Sequence, residues 1–256
     1  MGNWRARGCA VRCGGRRRGL HWPARMSRGK LIVIEGIDGA GKGTQADLLA
    51  GAFQRRGIAF VRFSFPRYES SFGRLIARFL NGEFGPLAAV DAHFSALLYA
   101  GDRLEAKPDL EAALNSGQAI VTDRYVASNL AHQAARVPAE RRPEFISWLR
   151  QLEYGIYGLP VEDLVIYLRV QAREGHRLVG LKSARSYTAM RRDLQESDVL
   201  HLEEAALVYD QLAQAPNWVT IDCSDAKSGK HRSPEEIHQD VLGAIGSRVL
   251  SRVAQP

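Results

Sequence analysis

The sequence predicts an α/β protein built on a five-stranded parallel sheet with helices on both faces. Short apolar segments alternate along the chain with longer segments of helical periodicity, which is typical of parallel sheets. The first apolar segment runs directly into a glycine-rich turn and a helix. With 256 residues, of which 45% are hydrophobic, the chain can form one domain with a full core. No apolar run approaches the ~18 residues that a membrane span needs.

The predicted elements follow one another without an internal repeat. Strands are predicted at 31–34, 58–65, 119–122, 164–168 and 218–222, where short apolar runs occur. Helices are predicted at 44–56, 72–80, 90–114, 126–136, 143–154, 170–180, 194–214 and 234–252. Gly57 and Pro66 mark the ends of elements, and Pro234 suits the first turn of the last helix. We expect one domain at 27–256 with a small mobile insertion at 181–192.

The positive charge of the chain is concentrated at its N-terminus. The formal net charge is +7, but nine of the 35 Lys and Arg residues lie in residues 1–30, which contain no acid, and the remaining 26 face 28 acids. We expect residues 1–26 to be a disordered or mis-assigned basic leader before a start at Met26. A transit peptide and a nucleic-acid-binding arm are the alternatives. The nearly neutral remainder argues against nucleic acid as a partner.

The three cysteines indicate no disulfide framework. Cys9 and Cys13 lie in the leader and make a poor zinc site, and Cys223 lies beside a predicted strand. A reducing compartment fits this usage. We therefore expect a cytoplasmic protein in which Cys223 is an ordinary buried side chain.

The segment 31–45 predicts a phosphate-binding loop. Gly36, Gly39 and Gly41 allow a tight curl whose amide groups point toward phosphate oxygens at a helix N-terminus. Lys42 supplies a cation for the terminal phosphates of a nucleoside triphosphate. The predicted nucleotide contacts are Gly36, Gly39, Ala40, Gly41, Lys42, Gly43 and Thr44. Gly43 stands where the usual motif has Ser or Thr. The alternative to a phosphate-binding loop is a glycine-rich turn beside a surface lysine.

A second charged motif follows the third predicted strand. Asp123 ends this strand, at the edge where ligands bind in open α/β sheets. A carboxylate there can hold Mg²⁺ directly or through water, and the neighbouring Arg124 can donate to a phosphate. A helix-capping aspartate beside a surface arginine is the alternative. The nearby phosphate loop favours the functional interpretation.

Three motifs, in this order, resemble the thymidylate kinase family of nucleoside monophosphate kinases. They are Gly36-Ile-Asp-Gly-Ala-Gly-Lys42, Phe65-Pro-Arg-Tyr68 and Asp123-Arg-Tyr-Val-Ala-Ser-Asn129. The resemblance covers about residues 30–223 and implies a three-layer P-loop nucleoside monophosphate kinase fold with a lid. It also implies phosphate transfer from ATP to dTMP, a requirement for Mg²⁺, and a homodimer.

The same resemblance implies roles around the acceptor. It places Asp38 beside the acceptor phosphate and its Mg²⁺, and Phe65 and Tyr68 in the loop that closes over the monophosphate. It assigns Arg124 to the acceptor phosphate, and Lys42, Asp38 and Arg124 to catalysis. The expected metal ligands are Asp38, Thr44 and Asp123.

Two residues on the long predicted helix are candidates for binding the base. Tyr99 and Arg103 are four residues apart and so share one face, where an aromatic ring can stack on a base and a guanidinium can donate to its carbonyl. The resemblance implies the same two roles for thymine. The alternative is a core tyrosine and a solvated arginine paired with Asp102 or Glu105.

Ser128, Asn129 and His132 share a face of the next helix and complete the expected substrate site. An Asn amide offers a donor and an acceptor, which suits the N3 and O4 edge of thymine. His132 departs from the family, in which many members carry Tyr near the sugar. A structural histidine is the alternative at that position.

The basic stretch 181–192 occupies the position of the lid in this family. Its basic side chains are Lys182, Arg185, Arg191 and Arg192. Relatives with Gly in the phosphate loop, as at Gly39, tend to place their transition-state cation in the lid, which makes all four side chains candidates, with Arg185 and Arg191 named as the catalytic pair. A solvated charged face is the alternative. The family also has an acid near Glu196 that approaches the acceptor.

Other function classes fit less well. Adenylate kinases share the Gly-Lys-Gly-Thr-Gln tract but carry Asp-Gly before Phe-Pro-Arg, whereas this chain has Ser64 there. Deoxynucleoside kinases usually have Glu-Arg-Ser at the strand end, and a GTPase needs Asn-Lys-x-Asp, which is absent from the sequence. A non-catalytic ATP- or nucleic-acid-binding module remains as an alternative. No general base is expected, because an acceptor phosphate with a second pKa near ~6 is already nucleophilic at pH 7.

Overall fold

The computed structural model describes residues 28–179, 199–225 and 231–250, and these residues include one five-stranded sheet. Its strands are β1 (Leu31–Glu35), β2 (Phe60–Ser64), β3 (Ala119–Asp123), β4 (Leu164–Arg169) and β5 (Trp218–Asp222). The strand order is β2-β3-β1-β4-β5, and every neighbouring pair is parallel. The predicted five-stranded parallel sheet is confirmed.

The strand order creates a crevice at the carboxyl ends of β1 and β3. The chain leaves β1 toward one side of the sheet, returns through β3 and then crosses β1 to reach β4. Such a switch in direction opens a ligand-binding crevice in α/β sheets. Ile34 in β1 lies opposite Asp123 in β3, so the phosphate loop and the Asp123-Arg124 motif leave the sheet side by side.

Helices cover both faces of the sheet. In the described residues they are α1 (Lys42–Arg55), α2 (Ser71–Leu80), α3 (Ala92–Asn115), α4 (Val126–Ala134), α5 (Arg142–Arg150), α6 (Ala172–Val179), α7 (Val199–Leu212) and α8 (Pro234–Ile245). The predicted helices are present with small differences at their ends. Two of them continue as π-helical turns, Gln151–Ile156 after α5 and Gly246–Leu250 after α8. Residues 194–198 of one predicted helix lie outside the described ranges.

The hydrophobic core explains why the central strands show no alternation of polar and apolar residues. Every residue of β1 is fully buried, and β4 is buried up to its last residue, because helices cover both sides of these strands. All nine residues of α4 are buried, since α3, α5 and α7 pack around this helix. A helix enclosed on all sides can present its polar side chains only to an internal cavity or to other polar groups.

Several predictions concern residues outside the described ranges. These are the leader at 1–26 and the insertion at 181–192 with Arg185 and Arg191. Within the described ranges, no helix has both the length and the apolar character needed to cross a bilayer. Cys223 is buried as expected, and burial raises the pKa of its thiol to about 12.

Candidate active site

The phosphate loop has the backbone conformation that its glycines predict. Gly39 and Gly41 have φ angles of 86° and 85°, in the left-handed region that costs glycine little. Gly41 precedes α1 and provides no side-chain cap, which leaves the first helical amides facing the loop. Lys42 is buried, and its Nζ donates to the carbonyls of Gly36 at 2.7 Å and Ile37 at 2.8 Å. These bonds direct the ammonium group into the loop.

Helix α6 packs directly on this loop. A Cβ atom at Gly39 would lie 2.1 Å from the carbonyl oxygen of Gly175, and a Cβ atom at Gly175 would lie 2.5 Å from the carbonyl oxygen of Asp38. Both positions therefore require glycine for the two backbones to approach so closely.

Arg124 joins the two predicted motifs. It has a φ of 63°, which is uncommon for a residue with a side chain, and its amide donates to the carbonyl of Ile34 at 3.0 Å. Its Nη2 forms an ion pair with Oδ1 of Asp38, and Nζ of Lys42 lies 3.9 Å from the same oxygen. Burial is the largest single influence on Arg124 and would lower its pKa, but Asp38 together with Tyr209 and Glu35 raises that pKa above its ordinary value. Two cations thus meet at one carboxylate at the junction of loop and cavity.

His132 supports Arg124 from α4. Its Nε2 lies 3.4 Å from Nη1 of Arg124, and its Nδ1 lies 3.3 Å from Nε2 of His201 in α7. Burial lowers the pKa of His132 well below its ordinary value, so its ring is neutral. Arginine can only donate, so Nε2 of His132 accepts and Nδ1 carries the hydrogen. With both nitrogens engaged, His132 fits the alternative of a structural histidine, although its ring lines the cavity.

A buried carboxylate that the sequence analysis did not single out holds the start of α4. Oε1 of Glu35 accepts from the amides of Tyr125 at 2.8 Å and Ser128 at 3.1 Å. Its Oε2 accepts from the hydroxyls of Ser128 at 2.6 Å and Tyr209 at 2.9 Å. Ser128, an expected substrate residue, is thus tied to Glu35, and the bonds hold the turn that carries Arg124. The sequence offered one signal for Glu35, which is an acidic residue at the end of an otherwise apolar strand.

Arg103 and Asn129 meet at a second buried carboxylate, Glu153. Nε and Nη2 of Arg103 each lie 2.5 Å from an oxygen of Glu153, and Nδ2 of Asn129 donates to Glu153 at 2.8 Å and to the carbonyl of Ala96 at 3.0 Å. The alternative that paired Arg103 with Asp102 or Glu105 is wrong. Burial is the largest single influence on Arg103 and would lower its pKa, but the charge and hydrogen bonds of Glu153, with contributions from Tyr125 and Asp102, raise that pKa. Oδ1 of Asn129 is buried without a hydrogen-bond partner among the described residues.

Asp102 instead holds the loop after β2. It accepts from the amide and Nε of Arg67, at 2.8 and 3.1 Å, and from the hydroxyl of Ser70 at 2.7 Å. These bonds tie α3 to the segment that contains Phe65 and Tyr68. Phe65 is buried, with its ring 5.9 Å from that of Tyr125. Phe65, Pro66 and Tyr68 of this loop form part of the wall of the cavity described next.

The site lies around one cavity of about 250 Å³, slightly below the ~300 Å³ at the lower end of small-molecule sites. The predicted residues that line it are Asp38, Gly39, Gly41, Lys42, Gly43, Phe65, Tyr68, Tyr99, Arg103, Asp123, Arg124, Ser128, Asn129 and His132. The cavity wall also contains Ser64, Pro66, Leu80, Tyr125 and Gln133, which were not predicted as site residues. Gly36, Ala40 and the exposed Thr44 do not line the cavity. The loop side of the cavity presents the cations Lys42 and Arg124 with the carboxylates of Asp38 and Asp123, and the base end is the part lined by Arg103 and Asn129.

The residues around this cavity fit a magnesium ion of the kind that phosphates help to hold. Asp38 and Asp123 line the same cavity, and Mg²⁺ is usually bound by one or two carboxylates together with phosphates and waters. Among the described residues, no three potential metal ligands form a protein cage. Arg62 Nη1 lies 3.3 Å from the Asp123 carboxylate. The metal assignment of Thr44 stays a prediction.

Fold and site together define a P-loop phosphotransferase, with one loop for a donor polyphosphate and an adjoining cavity for a small acceptor. A family model described as thymidylate kinase matches residues 34–234. The thymidylate kinase of Mycobacterium tuberculosis is 36% identical over 190 residues, covering 73% of this chain and 87% of the relative. The human thymidylate kinase is 30% identical over 229 residues, covering 89% and 92%. The chain belongs to the thymidylate kinase family, which confirms the resemblance of its motifs.

A solved structure supports the fold independently. Thymidylate kinase from Candida albicans matches with a TM-score of 0.66 and 20% identity, over 86% of this chain and 92% of that chain. At this identity the match bears on the fold alone. It confirms the expected arrangement of a parallel sheet between helical layers.

Proposed function

We propose that this protein transfers the γ-phosphoryl group of ATP to dTMP, giving ADP and dTDP, within the cavity described above. The observation that carries the proposal is the meeting of Lys42 and Arg124 at Asp38, between the phosphate loop and a cavity whose far end presents Arg103 and Asn129. Donor phosphates lie on the loop, and the acceptor lies in the cavity with its phosphate toward Arg124. The attacking and transferred groups then meet between the two cations.

Catalysis in this arrangement is positioning and charge stabilisation. The loop amides and Lys42 neutralise the charge on the donor phosphates, and Arg124 binds the acceptor phosphate. Because that phosphate is itself the nucleophile, no side chain has to remove a proton. The predicted lid residues Arg185 and Arg191 complete the charge shell and exclude water on closure, which stays a prediction of the sequence.

The base end of the cavity suits a pyrimidine with a carbonyl at C4 and a hydrogen at N3. Nδ2 of Asn129 is already used, so its buried Oδ1, which has no hydrogen-bond partner among the described residues, is the group proposed to accept from N3–H. Arg103 uses Nε and Nη2 on Glu153, which leaves Nη1 to donate to O4. Tyr99 lines the same cavity and offers a ring for stacking.

Mg²⁺ accompanies ATP in the proposed reaction. Asp38 and Asp123 would hold it, directly or through water, and Thr44, which is exposed in the first turn of α1, is the third proposed ligand. When bound, the ion neutralises phosphate charge and orients the phosphate groups.

A homodimer through α3 is also part of the proposal. Phe94, Leu97 and Leu104 are 46%, 39% and 39% exposed, and their spacing places them along one side of the helix. Exposed apolar residues in a row are typical of a protein interface. Leu97→Glu should shift the protein from dimer to monomer in sedimentation velocity, and an unchanged dimer would argue against this surface.

The reducing compartment expected from the cysteines makes the cytoplasm the proposed location. Support comes from Cys223, which is buried as a free thiol. The proposed partners are the small molecules ATP and dTMP, with no role for nucleic acid or membranes.

The direct test is an ADP-release assay with ATP, Mg²⁺ and, in turn, dTMP, dUMP, AMP, CMP and GMP. We expect dTMP to give the highest kcat/KM and dTDP as the identified product. A preference for AMP, CMP or GMP would assign the chain to another monophosphate kinase activity. ATP binding without product from any acceptor would support a non-catalytic module.

A further inference from the structure

Glu153 lies behind the base end of the cavity and does not line it. It is fully buried in the π-helical turn Gln151–Ile156, on the side of the helix that also buries Leu149 and Leu152. An acid placed among buried apolar residues has to be paired with polar groups. Its pairs are the two residues that present polar groups to the base, Arg103 and Asn129.

Glu153 determines which way the Asn129 amide points. An ionised carboxylate only accepts hydrogen bonds, so the amide must turn its NH₂ group toward Glu153. The carbonyl of Ala96 takes the other hydrogen of the same nitrogen. Oδ1 therefore points away from both acceptors, and it is the buried oxygen without a hydrogen-bond partner in the described part of the chain.

Glu153 also fixes the position of the Arg103 guanidinium. Two nitrogens of Arg103 bond to the two oxygens of Glu153, and this paired geometry allows little rotation of the planar group. The carboxylate also neutralises a cation that is only 2% exposed. Consequently Nη1 can donate toward the cavity without leaving a buried charge unpaired.

We propose that Glu153 is a positioning residue that makes the site select pyrimidines with a C4 carbonyl and an N3 hydrogen over pyrimidines with a C4 amino group. This inference rests on the proposed function, because it concerns the same acceptor cavity. A 4-amino pyrimidine would place its amino group against the Arg103 donor and its unprotonated N3 against Oδ1 of Asn129. The first contact would place a donor against a donor and the second an acceptor against an acceptor, so buried polar atoms would be left without hydrogen bonds.

The deciding experiment compares Glu153→Gln with the wild type on dTMP, dUMP and dCMP. A glutamine amide offers one donor and one acceptor, so one of its contacts with Arg103 or Asn129 becomes donor against donor. We expect the ratio of kcat/KM for dTMP to kcat/KM for dCMP to fall by at least about tenfold, the size of one lost buried hydrogen bond. KM for ATP and the ratio between dTMP and dUMP should change less than about twofold, because neither reports the C4 and N3 contacts.

Two further variants separate positioning from a general structural effect. Glu162→Gln changes another buried acid, which binds Tyr154 and contacts neither Arg103 nor Asn129, and should leave the selectivity ratio unchanged. Glu153→Asp keeps the carboxylate and should retain more selectivity than Glu153→Gln. An unchanged ratio in Glu153→Gln, or an equal loss with every substrate, would overturn the inference.

Folding and activity failures are distinguishable. If thermal unfolding shows that Glu153→Gln is not folded, the test uses Glu153→Asp instead. A fall of at least about threefold in its ratio of kcat/KM for dTMP to kcat/KM for dCMP would support the inference, and no fall would overturn it. If the wild type makes no dTDP, the proposed reaction fails, and calorimetric Kd values for dTMP and dCMP in the same variants then test Glu153 alone. In that case an unchanged binding preference overturns the inference.

Discussion

Replacing His132 should change how the stability of this protein depends on pH. In the folded protein the ring is buried between Arg124 and His201, and burial lowers its pKa well below 6.5. In the unfolded chain the same ring titrates near ~6.5. Below that pH the unfolded state therefore binds a proton that the folded state does not. The stabilising contribution of the neutral ring is complete above pH ~6.5 and declines as the pH falls toward the lowered folded pKa.

The expected size of the effect follows from this linkage. One proton of difference corresponds to about 1.4 kcal/mol per pH unit, so His132 alone removes about 1.4 kcal/mol between pH 8 and pH 5.5. For a protein of this length, that is roughly 3–6 °C in Tm. His132→Gln removes the titrating group while keeping an oxygen that can accept from Arg124. The variant should lose about 1.4 kcal/mol less than the wild type over that pH interval.

The assay is denaturant unfolding of both proteins at pH 8 and pH 5.5, with thermal unfolding as a second measure. The variant will also be less stable at pH 8, because His201 loses a partner, so the quantity to compare is the change with pH. Titrating groups that do not contact His132 contribute equally to both proteins and cancel in the difference. Equal pH dependence in the two proteins would refute the assignment of His132 as a neutral buried ring.

Three other predictions test separate parts of the structure. Lys42→Met should lower kcat by about 10²–10³-fold while circular dichroism shows a folded protein, and a loss below tenfold would remove Lys42 from the catalytic role. Gly39→Ala should lower Tm more than Gly41→Ala. Both residues have φ angles near +85°, but only a Cβ atom at Gly39 would lie 2.1 Å from the carbonyl oxygen of Gly175, so equal losses of Tm would contradict this contact. Burial raises the pKa of Glu162 from 4.5 to about 7. Ionising this group should therefore lower the unfolding free energy of the wild type by roughly 3 kcal/mol between pH 4.5 and pH 8, and denaturant unfolding of Glu162→Gln should not show that decrease.

The phosphate loop and the strand-end motif could be predicted because local chemistry defines them. Positive φ at Gly39 and Gly41 follows from residue type, and the loop lies directly between an apolar strand and a helix. Asp123 ends β3 as predicted, and the parallel sheet brings it to the same edge as the loop. Such features depend on neighbouring residues in the sequence, so one sequence is sufficient to find them.

The partners of the base-binding residues could not be predicted in this way. Arg103 has acids at positions 102 and 105, and the local interpretation chose between those two. In the structure Asp102 turns to Arg67, and Arg103 pairs with Glu153, which is 50 residues away. Adjacent residues of a helix point in different directions, so a neighbour in sequence is a poor guide to a buried partner.

The sequence by itself determined the class of this protein: alternating strands and helices, a phosphate loop, and three motifs in the order of the thymidylate kinase family. Only the tertiary structure decided how these residues support one another. It placed Glu35 under the turn that carries Arg124, and Glu153 behind the base-binding groups. The physical reason is that a buried carboxylate must find its donors wherever the packing of α3, α4 and the turn after α5 brings them, and that packing joins residues distant in the chain.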